Sequence, residues 1–171
     1  MWGDLEVVHV LALIVALTAS IAPCWDPPVV APVVDPFRLP ACTYCPGNRG
    51  IEFGPESGQP VAAVTDGEVS FVGTIAGTVY VVVEHADGLR ATYGRLATTA
   101  VRRRDTVVAG QRIGTTTDAF YFGLRDGDRP VDPTSLLGQR RYRRRLLPID
   151  GTPPPAAGPG RLVCPNATPR R

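Results

Sequence analysis

Residues 51–137 carry strand and turn signals in close succession, and this pattern constrains the fold more than any other feature of the chain. Residues 78–85 consist mainly of Val, Thr and Tyr, which favour strands. Asp87-Gly88 follows, a dipeptide typical of a two-residue hairpin turn. No stretch of the region combines an apolar period of 3.6 residues with helix caps. We therefore predict an all-β domain built as a compact antiparallel sheet.

The predicted strands are short and numerous. One begins at Val61 and breaks at Asp66-Gly67, a pair suited to a turn with positive φ. The others are predicted at 68–72, 78–85, 89–96, 106–108, 112–115, 119–125 and 130–131.

Several motifs of this region stand in the order known from one protein family. They are Asn48-Arg49-Gly50-Ile51-Glu52, Gly58-Gln59-Pro60-Val61, Tyr93-Gly94-Arg95-Leu96, residues 101–114, Phe120-Tyr121-Phe122 and Val131-Asp132-Pro133. With these motifs, residues 47–137 resemble peptidase family M23, the LytM-like and lysostaphin-like metallopeptidases that cut peptidoglycan. The resemblance implies a barrel-type β-sheet core and, in active relatives, a catalytic zinc ion.

The same resemblance implies that the zinc ligands are missing here. The two ligands of the family's His-x-Gly-x-Asp motif become Asn48 and Glu52, and the third ligand becomes Tyr121. The supporting histidines become Arg95 and Ala119. An amide is a weak zinc ligand, and a phenol must first lose its proton. Only Glu52 suits a metal, so we expect no metal and no other cofactor.

Other hydrolytic mechanisms find little support in the sequence. The chain has two histidines, His9 near the N-terminus and His85 at the predicted hairpin, where a structural cap is the expected role. We instead expect a residual groove that binds a ligand. Arg95 is suited to hold a carboxylate and Tyr121 to stack on a sugar face. The residues expected to line the groove are Asn48, Glu52, Tyr93, Arg95, Ala119 and Tyr121.

The segments around the core point to an exported protein. Residues 1–24 contain an apolar run at 7–22 that is typical of a signal peptide or an N-terminal anchor. Residues 25–46 are rich in Pro, which predicts an extended strap. Cys24, Cys42, Cys45 and Cys164 make an even count, and disulfides are expected after export, with three pairings open. The Cys42-x-x-Cys45 spacing also allows a redox or zinc motif.

The tail at residues 138–171 is basic. Up to Leu137 the chain has 10 Arg and 15 acidic residues, a formal charge of −5. From Gly138 onward it has 8 Arg and one acidic residue, Asp150, a formal charge of +7. A solvated tail is one interpretation, and an anionic envelope polymer as partner is the other. The arginines expected to bind such a polymer are Arg140, Arg141, Arg143, Arg144 and Arg145. One aromatic residue among them, Tyr142, does not indicate a nucleic-acid site.

Three hypotheses on function follow. The first is a non-catalytic M23-like protein of the cell envelope that binds peptidoglycan or a cell-wall enzyme. The second is an active zinc metalloendopeptidase with unusual ligands, which cleaves peptidoglycan cross-links. The third is a structural or interaction module that acts through its basic tail.

Overall fold

The computed structural model describes residues 24–42, 44–141 and 160–165, and the apolar run predicted at 7–22 lies outside them. The described residues form strands and one short 3-10 turn, Pro133–Ser135. The strands are β1 Val33–Asp35, β2 Gly50–Phe53, β3 Pro60–Ala62, β4 Gly67–Ile75, β5 Thr78–Glu84, β6 Leu89–Thr99, β7 Thr106–Val107, β8 Arg112–Asp126, β9 Arg129–Val131, β10 Gln139–Arg141 and β11 Arg161–Val163. Among the described residues, no helix is long and apolar enough to cross a bilayer.

The first nine strands form one antiparallel sheet, which confirms the predicted all-β fold. Its order is β1-β2-β8-β6-β5-β4-β7, and β3 and β9 also pair with β8. Strand β8 spans 15 residues, where the sequence pattern predicts two separate strands. It stays continuous because its pairing with β6 shifts register between Gly94 and Leu96, opposite Tyr121 and Thr116. This irregularity lies next to the candidate site.

The core lies on one side of β8. Phe120, Phe122 and Leu124 alternate along the strand and are fully buried. The ring of Phe120 packs against Phe53 of β2, with centroids 5.8 Å apart, and Phe122 packs edge-on against Tyr93 of β6 at 5.3 Å. Because side chains of a strand alternate between its faces, the residues between these phenylalanines point to the opposite face of the sheet.

The Pro-rich strap lies on the domain. The Trp25 side chain is buried beside the His85 ring at 5.8 Å, and its backbone N–H donates to the Leu136 carbonyl at 2.8 Å. Further along, β1 pairs with β2 and forms the edge of the sheet. His85 Nδ1 lies 2.7 Å from the Asp66 carbonyl oxygen, which ties the hairpin to the neighbouring turn.

All four cysteines form disulfides, which confirms the expectation of disulfide bonds. Cys24 at the start of the strap is bonded to Cys164, and Cys42 is bonded to Cys45. Cys164 directly follows β11, which pairs with β10 in a two-stranded ribbon. The sequence pattern does not predict this ribbon, because neither segment shows the alternation of a half-buried strand.

Candidate functional site

The candidate site lies on the face of the sheet opposite the core. Glu52 on β2 stands directly opposite Tyr121 on β8, and Tyr121 stands opposite Gly94 on β6. Directly opposed residues of antiparallel strands share a face, so these three positions form one row across three strands. Ala119 belongs to the same face of β8, two residues before Tyr121.

A bidentate ion pair connects β2 and β6, the two outer strands of this row. Arg95 Nη1 donates to Glu52 Oε2 at 2.8 Å, and Nη2 donates to Oε1 at 2.7 Å. The pair is partly open to solvent, with 37% of the Arg95 side chain and 25% of the Glu52 side chain exposed. The hydrogen bond to Glu52 is the main cause of a raised pKa for Arg95. Both carboxylate oxygens of Glu52 are therefore already engaged by the Arg95 guanidinium.

The backbone of Arg95 is unusual. Its φ is 58°, in the left-handed region that non-glycine residues rarely adopt. The Thr117 hydroxyl lies beside this backbone, 3.0 Å from the Arg95 carbonyl oxygen and 2.7 Å from the Ala119 carbonyl oxygen, and it accepts the Ala119 N–H at 3.2 Å. The left-handed turn at the register shift allows the Arg95 side chain to fold back over the sheet toward Glu52.

The Tyr121 ring lies close to the backbone of the sheet. A Cβ atom on Gly50 would stand 2.7 Å from the ring, and a Cβ atom on Gly123 would stand 2.6 Å from the phenol oxygen. No side chain fits at these two positions beneath the ring. Over Gly94, the Tyr80 ring approaches in the same way, with a hypothetical Cβ only 2.4 Å from it. Tyr121 and Tyr80 together form an aromatic surface beside the ion pair.

This donor set does not fit a zinc ion. Both Glu52 oxygens are bonded to a guanidinium, which repels a second cation. Burial raises the pKa of Tyr121, with Arg125 only partly opposing the shift, so the phenolate that zinc requires is disfavoured. Among the described residues, no group of three or more His, Cys, Asp or Glu could hold a metal ion.

Asn48 belongs to the strap contact instead of the open surface. Only 7% of it is exposed. Its carboxamide nitrogen donates to Asp35 Oδ2 at 3.1 Å, and its oxygen accepts the Gly50 N–H at 3.2 Å. Asp35 is in turn paired with Arg38, and hydrogen bonding to Arg38 is the main cause that lowers the pKa of Asp35. The position of the family's first ligand thus anchors β1 to β2.

Tyr93, which the sequence places in the groove, lies in the core. It is fully buried, and its phenol oxygen accepts the Val64 N–H at 3.0 Å. The strand parity explains this position, since Tyr93 precedes Gly94 and points to the opposite face. Of the six residues expected to line the groove, Glu52, Arg95, Ala119 and Tyr121 share the site, whereas Asn48 and Tyr93 do not contribute an accessible side chain.

The site also contains residues that sequence reasoning missed. Tyr80 and Thr117 complete the surface around Arg95, and Asp35 engages Asn48. The period of two along β5 shows that Tyr80 and Val82 share a face, but only the register with β6 shows that this face is the one that carries Tyr121. Nothing in the local sequence of Asp35 or Thr117 indicates their contacts.

A separate apolar groove lies on the other side of the sheet, between the strap and the ribbon. Val29, Val33, Phe53 and Leu137 are among its lining residues. Phe53 follows Glu52 on β2 and therefore points away from the candidate site. This groove has no part in the row formed by Glu52, Tyr121 and Gly94.

Comparisons with known proteins agree with the sequence resemblance. A model of peptidase family M23 matches residues 46–133, about half of the chain. The murein hydrolase activator NlpD of Escherichia coli (strain K12) is 31% identical over 103 residues, which are 55% of this chain and 27% of NlpD. An uncharacterised protein of Mycobacterium tuberculosis (strain H37Rv) is 33% identical over 142 residues, 75% of this chain and 55% of that protein.

The solved structures share the fold. Helicobacter pylori Csd3 superposes with a TM-score of 0.61 at 24% identity, over 74% of this chain and 36% of Csd3. That likeness concerns the fold alone. The chain spans about a quarter of NlpD and about half of the mycobacterial protein, so the activities of whole relatives do not transfer directly.

Proposed function

This chain belongs to peptidase family M23, and we propose that it is a non-catalytic member of the cell envelope that binds peptidoglycan or controls a wall hydrolase. One observation carries the proposal. Glu52 is the only residue at the five site positions with the chemistry of a zinc ligand, and Arg95 binds both of its oxygens. A salt bridge stands where the family resemblance implies a metal.

The surface that remains suits binding. The Tyr121 ring lies over two glycines beside a guanidinium, and an aromatic face of this kind packs against the apolar face of a sugar. Arg95 presents hydrogen-bond donors with the planar geometry that matches a carboxylate. Peptidoglycan carries both sugar rings and peptide carboxylates, so it is the ligand that this combination favours.

The similarity to NlpD supports a role beside a wall hydrolase. NlpD is named as a murein hydrolase activator, and it is 31% identical to this chain over 103 residues. An activator needs to recognise the polymer or the enzyme and has no need to cut a bond. We therefore extend the proposal to export and to a position outside the cytoplasmic membrane.

Retention on isolated peptidoglycan sacculi tests the proposal. We expect the full chain to be retained without releasing soluble fragments. Tyr121→Leu is expected to weaken retention about 3- to 10-fold, since aromatic contacts contribute about 0.5–1.5 kcal/mol beyond their area. Tyr44→Leu is the matched control, because Tyr44 is 97% exposed on the strap loop. Equal retention of both variants, or fragment release that a chelator stops, would contradict the proposal.

The basic ribbon supports a second, additional candidate function, contact with an anionic envelope polymer. Arg141 on β10 stands directly opposite Arg161 on β11, and both are exposed. Directly opposed like charges destabilise a strand pair, and a polyanion would relieve this repulsion. Arg140 instead pairs with Asp26 at 2.6 Å, and Arg143, Arg144 and Arg145 lie outside the described residues.

A salt titration distinguishes this polymer contact from peptidoglycan binding. Binding of a polyphosphate chain to the full protein should weaken with rising salt, and the double variant Arg141→Gln/Arg161→Gln should weaken it further. Arg129→Gln is the control, because Arg129 is exposed on β9. If the double variant and the control bind polyphosphate equally, the ribbon is not the contact.

A further inference from the structure

The Glu52–Arg95 pair offers two opposite charges to a ligand at the same place. Each charge is partly exposed, and the two side chains stand on different strands. Because the pair is partly open to solvent, a ligand that supplies a new partner for each charge can reach both side chains and replace their mutual interaction. Arg95 reaches the pair through a long side chain with several rotatable bonds, which allows it to move without moving the strand.

The local structure around the pair is specialised. Arg95 keeps a left-handed backbone, and Thr117 supports it. Non-glycine residues held in this conformation concentrate at binding sites, where the surrounding structure compensates for the strain. Gly50 and Gly123 leave room for the Tyr121 ring next to the pair. The left-handed backbone directs the Arg95 side chain toward Glu52, and the two glycines fix the position of the ring, so together they set the geometry of a ligand surface.

We propose that the Glu52–Arg95 pair binds a zwitterionic group, an ammonium and a carboxylate on one ligand, by exchanging ion-pair partners. The proposal rests on the proposed function and names the chemical class of the ligand. The ligand carboxylate takes the place of Glu52 on the Arg95 guanidinium, and the ligand ammonium binds the Glu52 carboxylate. No covalent bond forms or breaks. A peptide segment that carries both an amino group and a carboxylate belongs to this class.

The exchange explains why a single charge is not enough. An anionic ligand that binds Arg95 leaves Glu52 without a partner and close to a like charge. A cationic ligand that binds Glu52 likewise leaves Arg95 without a partner and close to a like charge. A partly desolvated charge that loses its partner opposes binding, so only a ligand with both signs replaces both interactions.

Three small peptides test the charge requirement. The probes are alanyl-alanine, its N-acetyl derivative and its C-terminal amide, titrated into the full chain by NMR. We expect the zwitterion to bind about tenfold or more tightly than either derivative, since each derivative loses one charge-assisted interaction. Equal binding of the N-acetyl derivative would overturn the proposal, because Glu52 would then have no role.

Variants locate the binding and separate the inference from the proposed function. Glu52→Gln and Arg95→Gln should each reduce alanyl-alanine binding about tenfold or more, whereas Arg90→Gln, which removes an exposed pair with Asp128, should leave it unchanged. Retention of the same variants on sacculi is measured in parallel. Sacculus retention that depends on Arg95 without any alanyl-alanine binding overturns the inference alone. Alanyl-alanine binding without sacculus retention supports the zwitterion site and contradicts the proposed function.

Discussion

Arg95 combines a strained backbone with an ion pair, and two substitutions separate these effects. Both Arg95→Ala and Arg95→Gly remove the guanidinium that faces Glu52. Only Ala keeps a Cβ at φ 58°, which disfavours the left-handed conformation. We therefore expect Arg95→Gly to have a free energy of unfolding about 0.5–1 kcal/mol above that of Arg95→Ala in urea denaturation. Equal stabilities would contradict this expectation, because relief of strain would then not exceed the greater unfolded-state entropy of Gly.

Tyr93 gives the core a dependence on alkaline pH. Burial raises the pKa of Tyr93, while the hydrogen bond from Val64 partly lowers it. In the unfolded chain the phenol ionises near its ordinary pKa of 10.0, whereas in the folded chain it stays neutral to higher pH. The stability that comes from the neutral phenol is complete below pH 10 and is lost as the pH rises above that value.

The Tyr93→Phe variant tests this assignment. At pH 7 it leaves the buried Val64 N–H without its acceptor, so we expect a loss of about 1–3 kcal/mol in the free energy of unfolding. Between pH 9 and about pH 12, stability should then fall less steeply in the variant than in the wild type. Parallel pH profiles for the two proteins would show that another group causes the alkaline loss.

At the scale of elements, the strap is held at its start and at β1. The Cys24–Cys164 bond links its start to the end of the ribbon, and the contact of Asn48 with Asp35 holds β1 at the sheet edge. The pKa of Asp35 is lowered in the folded chain. The stability that its carboxylate contributes is therefore present above the ordinary pKa of 3.8 and is lost as the pH falls through the lower folded pKa. The strap edge is thus sensitive to acid and the core to alkali.

The two disulfides should differ in their effect on stability. Cys24–Cys164 closes a loop with a sequence separation of 140, whereas Cys42–Cys45 spans a separation of 3. Because longer loops lose more entropy in the unfolded chain, we expect Cys24→Ala/Cys164→Ala to lower the free energy of unfolding by about 2–4 kcal/mol. Cys42→Ala/Cys45→Ala is the control and should have a smaller effect in the same denaturation experiment.

Sequence reasoning predicts the strands of this chain better than their connections. The Asp87-Gly88 turn and the Val-rich β5 follow from local propensity, and the structure has them nearly as predicted. The continuity of β8 does not follow, because it depends on a register shift against β6. The ribbon of β10 and β11 is followed by Cys164, which is bonded to Cys24 at a sequence separation of 140, and no local pattern records this link.

At the scale of the whole molecule, the family resemblance predicts the fold and the identity of the replaced positions, and the structure adds how these positions interact. Residue types alone indicate that Glu52 is the one remaining ligand. They do not indicate that Arg95 reaches across from β6 to bind it, because that contact needs a left-handed residue at an irregular strand pair. Nor do they separate Tyr121 on the open face from Tyr93 in the core, since this depends on strand parity.

The whole molecule therefore has the architecture of a peptidase domain with an internal salt bridge at the expected metal position. Under the proposed function, such a site binds without cutting, and we expect its selectivity to follow from charge and from the aromatic surface of Tyr121 and Tyr80. Fold similarity alone does not distinguish an enzyme from a binding protein, so the function must be argued from the site residues.

Metal content tests the central claim most directly. The full chain is purified without chelators, incubated with zinc, dialysed, analysed by inductively coupled plasma mass spectrometry, and then applied to peptidoglycan sacculi. We expect zinc well below one ion per chain together with retention on the sacculi. Near one zinc per chain, with release of peptidoglycan fragments that a chelator stops, would contradict the account, because Glu52 would then bind a metal and not Arg95.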